Sequence, residues 1–174
     1  MKSKLAPSIA LGVICLVVAA LLAIVNSLTA PKINQNKIDA AKDSLSEVLK
    51  GHEGFESIKI TDGIPASITM IEKSSAGGYV FSSTVSGKSS GFTVLIGISP
   101  DGKISGTKCT SNSETPSFAQ PVFEKTENEQ WYAGKDAESF EKYLVSGSTL
   151  TSEAYATAVQ DALKAFAILT GGDA

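Results

Sequence analysis

From Leu5 to Ala30 the chain runs for 26 residues without a charge, and nothing else in it restricts the architecture so strongly. As a helix at 1.5 Å per residue the stretch is roughly 39 Å long, enough to cross a hydrocarbon core of about 30 Å. The expectation is a single N-terminal transmembrane helix. Lys2, Lys4 and the amino terminus precede it, whereas the remaining thirteen lysines face 18 Asp and Glu residues beyond it. The positive-inside bias therefore predicts a single-pass protein of the cell membrane, with its N-terminus in the cytoplasm and its domain on the extracytoplasmic side. A cleavable signal peptide is the alternative, with Lys2 and Lys4 in its n-region. Against it, the apolar run exceeds an ordinary h-region and Leu28-Thr29-Ala30 is a poor small-x-small cleavage site.

Beyond the apolar run the chain is long enough for one compact domain with an aliphatic core, since 43% of the 174 residues are hydrophobic and only 7% aromatic. The chain has no arginine and a net charge of -3, which argues against a nucleic-acid partner, because backbone contacts and guanine readout rely on basic clusters. Cys15 lies in the apolar run, so Cys15 and Cys109 form no disulfide framework. With one histidine and no CxxC, the ligands for a zinc site or a cysteine-held cluster are lacking.

The period of the apolar residues then divides the chain. Ile33, Ile38, Ala41, Leu45, Val48 and Leu49 recur at helical spacing, predicting an amphipathic, membrane-proximal helix from about Asn34 to Lys50 that ties the domain to the bilayer. His52 falls in the turn after it, as a solvated or capping residue. Residues 66–71, 78–85, 91–98 and 103–110 are short β-branched or aromatic runs between glycine, serine and aspartate, the signature of a twisted antiparallel sheet. Pro100-Asp101-Gly102 is a tight turn between the last two strands. The stretch from Ser86 to Gly91 contains Gly-Lys-Ser without the glycine spacing of a nucleotide phosphate loop, and reads as a hairpin loop. A polar loop from Thr110 to Ala119 comes next, with Pro116 as a helix-start residue and Pro121 breaking any long helix. Trp131 and Tyr132 are expected to cover the core. Ala154, Ala158, Ala162 and Phe166 on one helical row predict a last helix from Glu153 to about Leu169, packed closely on the sheet. The fold class is α+β: a transmembrane anchor over 1–30, the amphipathic helix over 31–50, and a small domain over 51–174 with a twisted antiparallel sheet and packed helices.

Immediately before that last helix stands Ser146-Gly-Ser-Thr-Leu-Thr-Ser152. Serine and threonine there are ordinary N-caps. The same residues can receive an anion: a helix start presents orphan N–H groups and the positive end of the dipole, glycine lets the backbone approach closely, and the hydroxyls add donors. On the residues alone, the N-cap linker is the first reading and the phosphate site the second.

Taken in order, the anchor, the amphipathic helix, the Gly-Phe-Thr-Val strand at 91–94, the Asp-Gly turn, the Glu-Thr-Pro loop, and Ser-Gly-Ser-Thr before a terminal helix resemble the FMN-binding domain family, in particular the RnfG proteins of the Rnf electron-transport complex and their relatives in the sodium-translocating quinone reductase. The resemblance implies that FMN is attached covalently, through its phosphate, to Thr149 in the motif Ser146, Gly147, Ser148 and Thr149, with Thr151 and Ser152 in its tail. Ser148 stands where the family has alanine, and no aspartate occurs at 143–145. The family's Glu-Thr-Pro-Gly-Leu-Gly motif falls on Glu114, Thr115, Pro116, Ser117, Phe118 and Ala119, with Asn112 where a histidine often stands. The loss of both glycines implies altered backbone geometry beside the flavin. There Glu114 and Thr115 are expected to offer polar groups and Phe118 an apolar edge. By this resemblance the chain is an electron-transfer subunit of a membrane ferredoxin:NAD oxidoreductase that moves Na+ or H+. Its partners would be the integral-membrane and the iron–sulfur or flavin subunits of that complex, and a flavin transferase during maturation. No independent acid–base catalytic site and no metal site are expected. A flavin-free structural subunit and a stand-alone membrane-anchored respiratory flavoprotein are the alternatives.

Overall fold

The computed structural model describes residues 11–12, 14–16, 18–19, 44–123 and 126–171. The chain divides into two compact units, Met1–Ala41 and Lys42–Ala174. In the first, the described residues between 11 and 19 are helical, and Leu11, Ile14, Leu16 and Val18 are exposed. The expectation of a transmembrane helix over 1–30 is corrected here: among the described residues, no helix is long and apolar enough to cross a membrane. A span needs about 20 consecutive apolar residues. The longest described helix has 22 residues but carries Glu153, Asp161 and Lys164 among serines and threonines. The rest of the 1–30 segment lies outside the described residues. The single-pass membrane localisation expected with it is corrected on the same finding.

The second unit is built on a five-stranded antiparallel meander in the order β1 (Phe55–Ser57), β2 (Ile68–Ser74), β3 (Tyr79–Ser86), β4 (Gly91–Ile98) and β5 (Ile104–Asn112). The last four strands fall on the four runs picked out in the sequence. Side chains alternate across a strand, so β4 turns Phe92, Val94, Ile96 and Ile98 to one face and Leu95 to the other. The first face takes the long C-terminal helix α4 (Thr149–Thr170), whose Ala158, Val159, Ala162 and Leu163 pack into the main core with Phe81, Phe92 and Tyr155. Each large side chain buried there contributes about 1.5–3 kcal/mol.

The opposite face is covered by α1, helical at residues 44–48, with Leu45, Val48 and Leu49 buried against Val80 and Leu95. This is the C-terminal end of the amphipathic helix expected over 34–50, whose earlier part lies outside the described residues. Its apolar side is spent on the sheet and not on a membrane surface. Two paired glycines allow the approach: Gly97 and Gly106 face each other across β4 and β5, and a Cβ on Gly97 would lie 2.2 Å from the Val48 carbonyl oxygen. His52 ends this segment, its Nδ1 3.1 Å from Ser74 Oγ.

Two short helices close the end of the sheet, α2 (Pro116–Phe123), which keeps Pro121 inside it, and α3 (Thr126–Tyr132). Tyr132 is fully buried between Phe140 and Tyr155, with centroids 5.9 and 6.0 Å away, and its hydroxyl accepts from Tyr143 N at 3.1 Å. Trp131 stays partly exposed and donates from Nε1 to the Glu141 carbonyl at 3.0 Å. Between them these two side chains fix residues 140–145, the irregular segment that feeds into α4.

Candidate functional site

The path into α4 is a tight turn. Ser148 N donates to the Val145 carbonyl at 3.0 Å, and Gly147, third of the four residues, has φ of +80°. Position three of a type II turn requires that backbone, and glycine adopts it without strain. A Cβ on Gly147 would meet nothing within 4 Å, so the glycine is there for its dihedral and not for room.

Thr149 is the first residue of α4, four residues earlier than the sequence pattern suggested. The first α-helical bond over this turn runs from Ser152 N to the Ser148 carbonyl at 2.9 Å, so the amides of Thr149, Leu150 and Thr151 are the orphan donors of the helix start. Ordinary capping would satisfy one of them from the side chain of Ser148. Ser148 is the N-cap residue, yet its hydroxyl makes no capping bond. It is 3% exposed and without a hydrogen-bond partner, and so is the fully buried Thr151 hydroxyl. Unpaired buried hydroxyls are costly, and these two stand within one helical turn of each other.

Both residues line a cleft of about 200 Å³ together with Gly147, Thr149, Leu150, Phe118 and Lys88. Phe118 comes from α2. Lys88 comes from the loop between β3 and β4, and its Nζ stands 4.0 Å from the centroid of the Phe118 ring. The cleft thus gathers one cation, free amides and hydroxyls beside the positive end of a helix, with an aromatic ring and the exposed Leu150 as its apolar edge. Such a set binds an anion that carries an apolar group.

Of the residues singled out in the sequence, Gly147, Ser148, Thr149, Thr151 and Phe118 meet at this cleft. The others do not line it. Ser146 is exposed in the turn. The Ser152 hydroxyl accepts from Val145 N at 3.1 Å and donates to the Ser148 and Thr149 carbonyls, each at 3.0 Å, clamping the turn onto the helix. Pro116 is the exposed first residue of α2, and the Thr115 carbonyl accepts from Phe118 N at 2.9 Å and Ala119 N at 3.0 Å.

Glu114 is 6% exposed, and its carboxylate is occupied: it accepts from Ser90 N at 2.9 Å and from Ser89 N at 3.2 and 3.3 Å. Gly87 closes over it, since a Cβ there would lie 2.6 Å from Glu114 Oε1. The Thr115 hydroxyl donates to Ser89 Oγ at 3.1 Å. The Glu-Thr pair therefore grips the loop that carries Lys88. Lys88 is the site residue that sequence reasoning passed over, having classed 86–91 as a plain hairpin loop. The usable signal was a carboxylate, Glu114, in a segment where no lysine or histidine stood ready to pair with it.

Two family models match the chain: the FMN-binding domain over residues 87–164, and the RnfG N-terminal region over residues 2–48. Residues 87–164 are an FMN-binding domain of that family. The first match begins at Gly87 and runs through α2, α3 and most of α4, so it contains every residue that lines the cleft. A search of curated proteins returned no match. FMN-binding family membership and the RnfG N-terminal region together point to a redox subunit of a multisubunit Rnf-type complex rather than to a free-standing catalyst. Among the described residues, no three His, Cys, Asp or Glu side chains gather as a metal ion would need.

The residues at the cleft fit the phosphate end of FMN. The unpartnered Ser148 and Thr151 hydroxyls, the free first-turn amides and Lys88 are donors of the kind a phosphate takes, and the Thr149 hydroxyl beside them is exposed.

Proposed function

We propose that this chain is an electron-transfer subunit of an Rnf-type complex, carrying FMN through a phosphoester on the Thr149 hydroxyl. The observation that carries the reading is the position of Thr149: exposed, first in α4, in a cleft whose other polar groups are unpaired or cationic. Attachment would join Thr149 Oγ to the phosphorus of an activated flavin diphosphate donor delivered by the flavin transferase, breaking the donor's P–O–P bond and releasing the leaving phosphate group and the hydroxyl proton. Thr151 and Ser148 orient the phosphate, Gly147 sets the turn that exposes Thr149, and Ser152 holds that turn to the helix. Glu114, Thr115 and Pro116 hold the neighbouring loop and α2 in place, with Phe118 and Leu150 as the apolar rim.

The size of the cleft favours a covalent link. At about 200 Å³ it is smaller than the roughly 300–1,000 Å³ of pockets that enclose a whole small ligand. Burial alone would hold a flavin weakly there, whereas a bond makes retention independent of affinity. Bound FMN supplies one- and two-electron chemistry; the protein supplies position and electrostatics. The lining has a cation, hydroxyls and amides but no carboxylate or imidazole, which suits a relay that orients a cofactor more than a site that shuttles protons. The complex served would couple ferredoxin and NAD oxidation–reduction to Na+ or H+ movement, with iron–sulfur and flavin subunits as electron partners.

The test is intact mass and in-gel flavin fluorescence of protein made with a flavin transferase. The expected result is a gain of one FMN, lost in Thr149→Ala. An unmodified protein in a native complex at full turnover would overturn the proposal in favour of a flavin-free structural role.

A further inference from the structure

We infer that Lys88 is the cation that selects a phosphorylated flavin at this cleft, and that Glu114 is a positioning residue acting through it. The inference rests on the reading of the cleft as an FMN site but not on the covalent bond.

The hairpin between β3 and β4 pairs Ser86 with Gly91, leaving Gly87 to Ser90 as its tip, closed by Gly87 N donating to the Ser90 carbonyl at 2.9 Å. A free tip of glycine, lysine and two serines would sample many conformations, and its lysine would be a solvated charge. Three contacts remove that freedom. The Glu114 carboxylate accepts from the amides of both Ser89 and Ser90, the Thr115 hydroxyl donates to Ser89 Oγ, and Ser113 N donates to the Gly91 carbonyl at 3.3 Å. The one residue of the tip whose side chain is left to reach outward is Lys88, and it lies on the Phe118 ring at the wall of the cleft.

That placement puts a positive charge beside the unpaired donors of Ser148, Thr151 and the first turn of α4, the second and independent sign of an anion site. Amides and hydroxyls can also donate to a neutral oxygen, though more weakly, whereas an ammonium adds a full opposite charge that only the phosphate answers. Lys88 is thus the member of the set that separates FMN from riboflavin. Its seat on Phe118 keeps the ammonium at the cleft while no anion is there, so binding exchanges a cation–π contact for an ion pair instead of ordering a mobile side chain.

The experiment uses the full chain made without a flavin transferase, labelled with ¹⁵N and titrated with FMN or riboflavin, following the amides of Thr149, Leu150 and Thr151. FMN is expected to bind about tenfold more tightly than riboflavin, as one charge-assisted contact warrants. Lys88→Gln brings the ratio near one, Lys88→Arg retains most of it, and Glu114→Gln lowers it while riboflavin affinity stays within about twofold. A merely structural role for Glu114 would weaken both ligands alike. Equal binding of FMN and riboflavin to the wild-type protein, or a ratio untouched by Lys88→Gln, overturns the inference. The outcome is separate from attachment: a full ratio with no FMN bond at Thr149 sinks only the covalent reading, and FMN on Thr149 with no ratio sinks only this one.

Discussion

Replacing Glu114 by alanine tests whether a buried carboxylate holds the Lys88 loop. The side chain accepts two backbone donors, Ser90 N at 2.9 Å and Ser89 N at 3.2 and 3.3 Å, from a residue only 6% exposed. A hydrogen bond to a charged group contributes about 1.5–3 kcal/mol net. Two such bonds are offset by the desolvation of the carboxylate and by water reaching the freed amides, since Ser89 is exposed and Ser90 half-buried. The expected loss is about 2 kcal/mol, or about thirtyfold in an equilibrium constant. Hydrogen exchange reads it directly: Ser89 and Ser90 amides should exchange at least about thirtyfold faster in Glu114→Ala, with a fall in urea-unfolding free energy of about 2 kcal/mol. Glu114→Gln keeps one acceptor oxygen and should lose about half as much. Unchanged exchange at Ser89 and Ser90 in the alanine variant would show that the loop stands without the carboxylate and would refute the reasoning.

Three further perturbations address the rest of the fold. Gly97→Ala drives a methyl into the Val48 carbonyl, 2.2 Å from the ideal Cβ, and should lift α1 off the sheet at a cost of at least about 3 kcal/mol; urea unfolding within about 0.5 kcal/mol of wild type would contradict the close packing. Burial pushes the Cys109 thiol up to about 11, against a weaker opposing bond to the Ser111 backbone, so at pH 8 iodoacetamide should modify it on the order of a hundredfold more slowly in the folded chain than in urea, judged by peptide mass analysis. Burial first, then the nearby Glu47 carboxylate, raises the Glu129 carboxyl above its ordinary range, while Lys108 opposes them. A raised folded-state value favours the protonated form, so Glu129 costs stability once pH climbs through that value. Glu129→Gln should therefore stabilise the fold at pH 7 and leave it unchanged below about pH 4, where the carboxyl is protonated folded and unfolded alike, as followed by thermal unfolding across pH.

Strands were legible in the sequence where alternation was strong: β2 to β5 are rich in β-branched and aromatic residues, and their cores face α4. β1 has three residues, Phe55 to Ser57, too few for a period to register. α3 was missed because Thr-Glu-Asn-Glu-Gln-Trp-Tyr has no apolar stripe; it is helical through Tyr132 and Asn128, which donates from Nδ2 to the Val122 carbonyl at 3.3 Å. The helical spacing expected over 34–50 names an apolar face without naming what covers it, and over 44–49, the described part, the partner is the glycine-paired outer face of the sheet. At the site, serine, glycine and threonine before a helix could be recognised, since their chemistry is local. The grip of Glu114 on a loop 24 and 25 residues earlier is a long-range bond, and only the fold brings Lys88 to Thr149's cleft.

The central claim is that Thr149 bears the flavin, and mass analysis of the protein from its native complex, with fragmentation to assign the residue, tests it most directly. The account predicts one FMN per chain on Thr149, absent from Thr149→Ala. A native, active complex in which this chain carries no FMN, or carries it on another residue, would contradict it.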